Sequence, residues 1–191
     1  MNQHVSFLFT SLLTDDCIAR GKALLDGGVR YLGGTNETYG NINTSDSLWV
    51  IRDLVFNQKK YTLRQLNDAM LANFNGYEAL RKDCLNCDKY GNDLETADTM
   101  ANDLYEFVAK GVRDRGIAIG MQYFLIVISN NQLNTEWGNR TAASPDGRLS
   151  CMYMNPANNP QGGANKSGPT AMLNSLAKFD AKYHGGSVQN I

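Results

Sequence analysis

Cys84 and Cys87 form the sequence's one CxxC pair, a spacing that suits thiol exchange or half of a metal site. A structural zinc site takes about four ligands. This sequence has no second pair, and its two histidines, His4 and His184, lie near opposite ends. The expectation is therefore two ordinary cysteines at a helix end, with no metal bound. The same separation argues against a Ser/His/Asp arrangement, since neither histidine stands near a nucleophile elbow. Asp15-Asp16 and Asp93/Glu95 are paired carboxylates, but both pairs sit at helix starts or faces, where the helix dipole accounts for them. Lys166-Ser167 before a helix resembles the end of a phosphate loop. That loop needs a glycine directly before its lysine, and Asn165 stands there instead. No residue of this chain is therefore assigned as catalytic.

The chain has 191 residues, 42% hydrophobic and 19% charged, with a formal net charge of −1. That is a globular composition without an electrostatic case for nucleic acid. The N-terminus lacks the basic start and cleavage site of a secretory signal. No apolar run reaches the ~20 residues of a membrane span. The sequence therefore reads as cytoplasmic, which makes the sequons at Asn36, Asn43, Asn139 and Asn165 incidental.

The elements that would position any site are mostly helical. Apolar spacing predicts a helix over Phe7–Asp26, stopped by Gly27-Gly28, then a short strand or link over Val29–Leu32. Gly33–Asn43 reads as loop. Thr44-Ser45-Asp46 offers caps for a helix over Ser47–Asn57. Thr62-x-x-Gln65 is a capping box for a helix to Asn73, with Leu63, Leu66, Met70 and Leu71 inward. Asn75-Gly76 breaks it and Tyr77–Cys84 resumes. Leu94–Val112 carries the clearest helical stripe, and its acidic face (Glu95, Asp98, Asn102, Asp103, Glu106) reads as solvated. Tyr123–Ile128 is β-branched and aromatic, a buried strand apolar on both faces. Thr141–Ala171 follows and holds all four prolines. Gly168-Pro169 opens a helix to about Phe179, and the final GGSVQNI reads as the start of another strand in a truncated chain. Helices with about three strands imply part of an α/β system.

The Thr141–Ala171 stretch carries a resemblance. ASPDGR (143–148), NPQGGANKSGPTA (159–171) and NSLAKFD (174–180) resemble, in order, segments of the glycyl radical enzymes, the pyruvate formate-lyase-like family. Earlier blocks match the same family. These are GGVRY (27–31), DSLWVIRDLVF (46–56), NFNGYE (73–78) and KYGND (89–93). Their collinear order is more specific than any single block. Asn165 stands where the family usually has Asp, and Asn159 where Ser is usual.

The resemblance implies a fold and a chemistry. The fold is a ten-stranded α/β barrel of two parallel half-barrels, of which residues 1–191 form a partial domain, incomplete at both ends. In the full-length enzyme a glycyl radical, installed by a radical SAM activating enzyme, takes hydrogen from a cysteine, and the thiyl radical takes one from a small-molecule substrate. The loops that carry that cysteine and that glycine match nothing here, and Cys17, Cys84, Cys87 and Cys151 fit no radical-site motif. The chain is thus expected to be a fragment of a lyase, dehydratase or acyltransferase of anaerobic metabolism, with no cofactor bound and not competent alone. Its implied partners are the rest of the barrel, the activating enzyme and, in full-length form, a second copy in a homodimer. Period-two spacing puts Leu125, Val127 and Ser129 on one strand face. By resemblance that face lines the substrate cavity, with Asn159 and Pro160 near the radical loop. The alternatives are a non-catalytic binding or structural protein, or one piece of a split enzyme.

Overall fold

The computed structural model describes residues 7–119, 123–128, 132–180, 182 and 184–187. It divides into a smaller unit, residues 1–36 and 110–125, and a larger one, residues 37–109 and 126–191.

In the smaller unit the expected helix over Phe7–Asp26 is broken. It becomes α1 (Leu8–Leu12), α2 (Cys17–Arg20) and a 3-10 turn at Leu24–Asp26. The break is at Asp16, whose φ of +71° lies in the left-handed region that ends a helix. Asp16 is held there by Arg30, whose Nε donates to its carboxylate at 2.9 Å. Gly27, with φ +82°, closes the 3-10 turn as anticipated. Leu8, Phe9, Leu12, Leu13 and Ile18 are all exposed, so the apolar stripe of these helices is not spent on a core within the unit.

β1 (Gly33–Thr38) occupies part of the segment expected to be loop. β2 (Tyr123–Ile128) falls where its β-branched run predicted, and β3 (His184–Ser187) runs parallel to it, pairing Val127 with Gly186 and Ile128 with Ser187. The strand order is β1-β2-β3.

Helices dominate the larger unit. α3 spans Asn41–Val50 and starts earlier than its supposed caps, because Gly40 enters the left-handed region (φ +70°) directly before it. Thr44, Ser45 and Asp46 are therefore interior to the helix. Thr44 and Ser45 return their hydroxyls to the carbonyls of Gly40 and Ile42. α3 continues as a π-helical stretch, Ile51–Asn57, in which Gln58 N–H reaches back five residues to the Asp53 carbonyl. α4 (Leu63–Leu71) begins with the predicted Thr62/Gln65 capping box, worth about 1 kcal/mol. Leu66 and Ala69 are its buried residues, whereas Leu63 and Leu71 are exposed, contrary to the expected inward stripe. The left-handed Asn73 and Phe74 then turn the chain, so that Phe74 rather than Leu71 enters the core. α5 (Glu78–Asn86) adds Leu80 and Cys84. Together Val50, Leu54, Leu66, Ala69, Phe74, Leu80 and Cys84 make one apolar cluster.

α6 (Glu95–Ala118) buries Ala97, Ala101 and Tyr105. Its acidic face is not wholly solvated: Asp98 is buried and pairs with Lys178 Nζ at 2.7 Å. A second cluster joins Ile42, Tyr90 and Ala101, with the Phe179 ring centred 5.4 Å from that of Tyr90, tilted, and 5.4 Å from that of Tyr105, edge-on. α7 (Leu133–Asn139) precedes the proline-rich stretch, and α8 (Gly168–Ala177) follows it with Pro169 in its first turn. Pro169 is tolerated there because the first-turn N–H groups have no helical acceptor. Among the described residues no helix is long and apolar enough to cross a membrane.

Candidate functional site

The proline-rich stretch is folded tightly onto α3 and onto the loop over residues 89–93 by hydrogen bonds between buried polar side chains. Asp146 is the hub. One carboxylate oxygen accepts from Asn43 Nδ2 at 2.7 Å, and the other from Ser144 Oγ at 2.5 Å and from the Arg148 N–H. Its own N–H donates to Ser47 Oγ. Asn43 and Asn155 exchange reciprocal bonds between amide side chain and backbone, at 2.7 and 3.2 Å. Arg148 is nearly enclosed, and its guanidinium donates to the carbonyls of Ala142, Leu149 and Met152. Such groups cost free energy when buried unless every donor and acceptor is met. That requirement is what turns a glycine- and proline-rich stretch into a fixed structure.

The loop over 89–93 is tied in from the other side. Asn92 Oδ1 accepts from the N–H groups of Lys166 and Ser167, and its amide donates to the Ala164 carbonyl. Asp93 accepts from Asn174 Nδ2 and pairs with Lys178. Asn165, at the position where Asp was the usual family residue, donates to the Gly91 carbonyl at 2.6 Å, a bond that an ionised aspartate could not make. Gly91 itself has φ +91°, and a Cβ there would stand 2.2 Å from Pro160 Cγ.

These loops enclose a cavity of about 190 Å³. It is lined by the buried Asp46, Lys89 and Arg148, the half-buried Arg81 and the exposed Lys166. Asp46 is almost wholly buried. Its Oδ1 accepts the Tyr90 N–H at 2.9 Å, while Oδ2 has no partner among the described residues. Burial pushes this carboxyl up to about 8, against the opposing pull of the Tyr90 N–H and of Lys89.

The sequence-derived site residues are placed unevenly. Leu125 and Val127 belong to β2, as expected, and alternate positions of a strand share a face. Ser129 lies outside the described residues. Asn159 is buried, with its amide 3.8 Å from Met172 Sδ. Pro160 packs on Gly91. The cavity residues Asp46, Lys89 and Arg148 were read from sequence only as parts of helix, turn and loop blocks, with no role of their own. Their one signal was membership in the blocks DSLWVIRDLVF, KYGND and ASPDGR. Cys84 is buried and Cys87 half-buried. Burial pushes the Cys84 thiol up to about 12 and the Cys87 thiol to about 11, away from thiolate chemistry. Among the described residues no group of three or more His, Cys, Asp or Glu side chains could hold a metal ion.

A family profile described as pyruvate formate lyase-like matches residues 1–133. The chain is 33% identical to the trans-4-hydroxy-L-proline dehydratase of Clostridioides difficile over 98% of its own length and 24% of that protein. A solved structure concerned with 1,2-propanediol dehydration in Roseburia inulinivorans superposes with a TM-score of 0.87 at 33% identity, covering 96% of this chain and 24% of the other. A glycyl radical enzyme from Archaeoglobus fulgidus gives a TM-score of 0.84 at 30% identity, covering 94% of this chain and 23% of the other. The chain thus spans about a quarter of the length of the relatives it matches. On a likeness that runs through nearly all of its own sequence and backbone, the chain belongs to the pyruvate formate lyase-like family of glycyl radical enzymes.

Proposed function

We propose that this chain is one section of the α/β barrel of a glycyl radical dehydratase or lyase acting on a small hydroxylated substrate. The observation that carries the reading is the interlock of the family blocks. The helix that carries Asp46, the turn at Gly91, the loop at Asp146 and the helix at Gly168 are joined by hydrogen bonds between buried and half-buried groups. The preference for dehydration comes from the relatives named above. In this reading β2 contributes a strand to the barrel, Leu125, Val127 and Ser129 face the substrate, and Asn159 and Pro160 line the cavity near the radical loop. The glycyl radical and the hydrogen-transferring cysteine belong to other segments of the barrel, and a radical SAM activating enzyme installs the radical. The chain by itself then supplies wall and scaffold and does not catalyse.

The exposed apolar side chains of α1 and α2, Leu8, Phe9, Leu12, Leu13 and Ile18, favour a larger barrel that covers them. The test is anaerobic activation followed by electron paramagnetic resonance. The isolated chain is expected to give no glycyl radical signal. A chimera in which it replaces the matching quarter of the trans-4-hydroxy-L-proline dehydratase is expected to give that signal and to dehydrate substrate. A radical doublet on the isolated chain overturns the reading.

A further inference from the structure

The cavity over Asp46 holds more positive charge than its surroundings neutralise. Arg81, Lys89, Arg148 and Lys166 line it, against Asp46 and Asp146. Asp146 spends both its oxygens on Asn43, Ser144 and the Arg148 N–H. Lys89 and Arg148 are buried to 6% and 4% exposure, yet neither has a carboxylate within ion-pair distance among the described residues. Lys89 Nζ donates only to the carbonyls of Cys84 and Cys87, which leaves one N–H unspent. Arg81 gives its Nε–H to the Gly147 carbonyl, and its side chain has no other hydrogen bond among the described residues. Buried cations without counter-charge are costly, and an anion is the natural compensation. The unpartnered Asp46 Oδ2 points the same way. Asp46 is one of the lining residues, and in its protonated form this oxygen can donate a hydrogen bond.

We propose that this cavity binds a small oxyanion, a carboxylate or a phosphate, held by Arg81, Lys89 and Lys166 and by a hydrogen bond from Asp46. The volume of about 190 Å³ admits about six water-sized atoms. That suits a simple organic acid or inorganic phosphate. Burial raises the Asp46 carboxyl, and Lys89, Asp146 and Asp98 are the charged side chains that act on it from the neighbouring elements. Ionisation of Asp46 places a negative charge beside the ligand, so affinity falls above about pH 8.

The test is calorimetric titration of the 191-residue chain with inorganic phosphate, with acetate and with tetramethylammonium as a cation control. Saturable binding of phosphate or acetate is expected, with no cation binding. The two anion arms tell which oxyanion is preferred. Arg81→Met is expected to weaken binding about tenfold. Lys166→Gln, at an exposed side chain whose backbone contacts are kept, is expected to weaken it about threefold with an unchanged circular dichroism spectrum. Asp46→Asn keeps a donor and is expected to remove the loss of affinity above pH 8. The same substitutions in the chimera keep the measurement readable whatever the solution behaviour of the isolated chain. No saturable binding of either anion to folded protein, or equal binding by both cation variants, overturns the proposal.

Discussion

Gly91→Ala tests whether the loop over 89–93 and the Asn159-Pro160 turn are locked together. Gly91 has φ +91°, where a side chain is strained by about 1–2 kcal/mol. The added Cβ would also stand 2.2 Å from Pro160 Cγ, far inside the 3.4–4 Å of ordinary contact. The proline ring cannot swing aside on its own backbone, because its φ is fixed. The neighbouring Asn159 is buried, and the Gly91 carbonyl is held by Asn165. Overpacking of that kind costs about 1–3 kcal/mol, so the whole substitution should cost about 2–5 kcal/mol. Gly163→Ala is the control. Gly163 has φ +81° but nothing within 4 Å of its Cβ position, so only the backbone cost of about 1–2 kcal/mol applies. Urea unfolding followed by the fluorescence of Trp49 and Trp137 reads both. At a slope of about 2 kcal/mol per molar, Gly91→Ala should lower the midpoint by about 1–2.5 M. Pro160→Ala removes Cγ, so the double variant Gly91→Ala/Pro160→Ala should recover about 1–2 kcal/mol relative to additivity. If Gly91→Ala proves as mild as Gly163→Ala, or if the two sites add, the contact is not what fixes this turn.

Two further perturbations follow from the buried charges. Lys178→Met should cost about 3–5 kcal/mol in urea unfolding, because it strands the fully buried Asp98, and the double variant Lys178→Met/Asp98→Leu should recover most of that loss. Asp46 is raised to about 8 in the folded chain, above its unfolded value of about 3.9. Between those values the folded state keeps a proton that the unfolded state has released, so stability should fall as pH rises, by at most about 1.4 kcal/mol per pH unit. Unfolding of the wild type and of Asp46→Asn at about pH 5 and about pH 7.5 should show the slope in the first and its loss in the second; parallel profiles would remove Asp46 as the cause.

Local chemistry made some elements readable. The Thr62 capping box, the β-branched run over Tyr123–Ile128 and Pro169 ahead of α8 each act within a few residues, and each appears where sequence placed it. The failures share a cause. Asp98 looked solvated because its partner, Lys178, is 80 residues away. Asp46 and Ser47 looked like cap and helix surface because the N–H groups that need them, on Tyr90 and Asp146, lie 44 and 99 residues further along the chain. The helix over Phe7–Asp26 has good periodicity, but Arg30 captures Asp16 and bends it. α7 has no side-chain cap to announce it. The cavity is built almost wholly from such distant pairings, so family resemblance pointed to its loops while residue pattern could not.

The Asn43 network also constrains the order in which the chain can acquire structure. Asn43 reaches Asp146, Asn155 and Gln161, which are 103, 112 and 118 residues further on. At a synthesis rate of about 5–20 residues per second, its partners emerge roughly 5–20 seconds after it does. For that interval the newborn α3 presents Asn43 and Ser47 without the loop groups that meet them, and closing so long a loop adds its own entropic delay. The buried members of the apolar cluster all lie between Val50 and Cys84 and can meet before Ala143 and Leu149 arrive to pack against them. The proline-rich stretch then supplies the partners that hold Asn43 and Ser47.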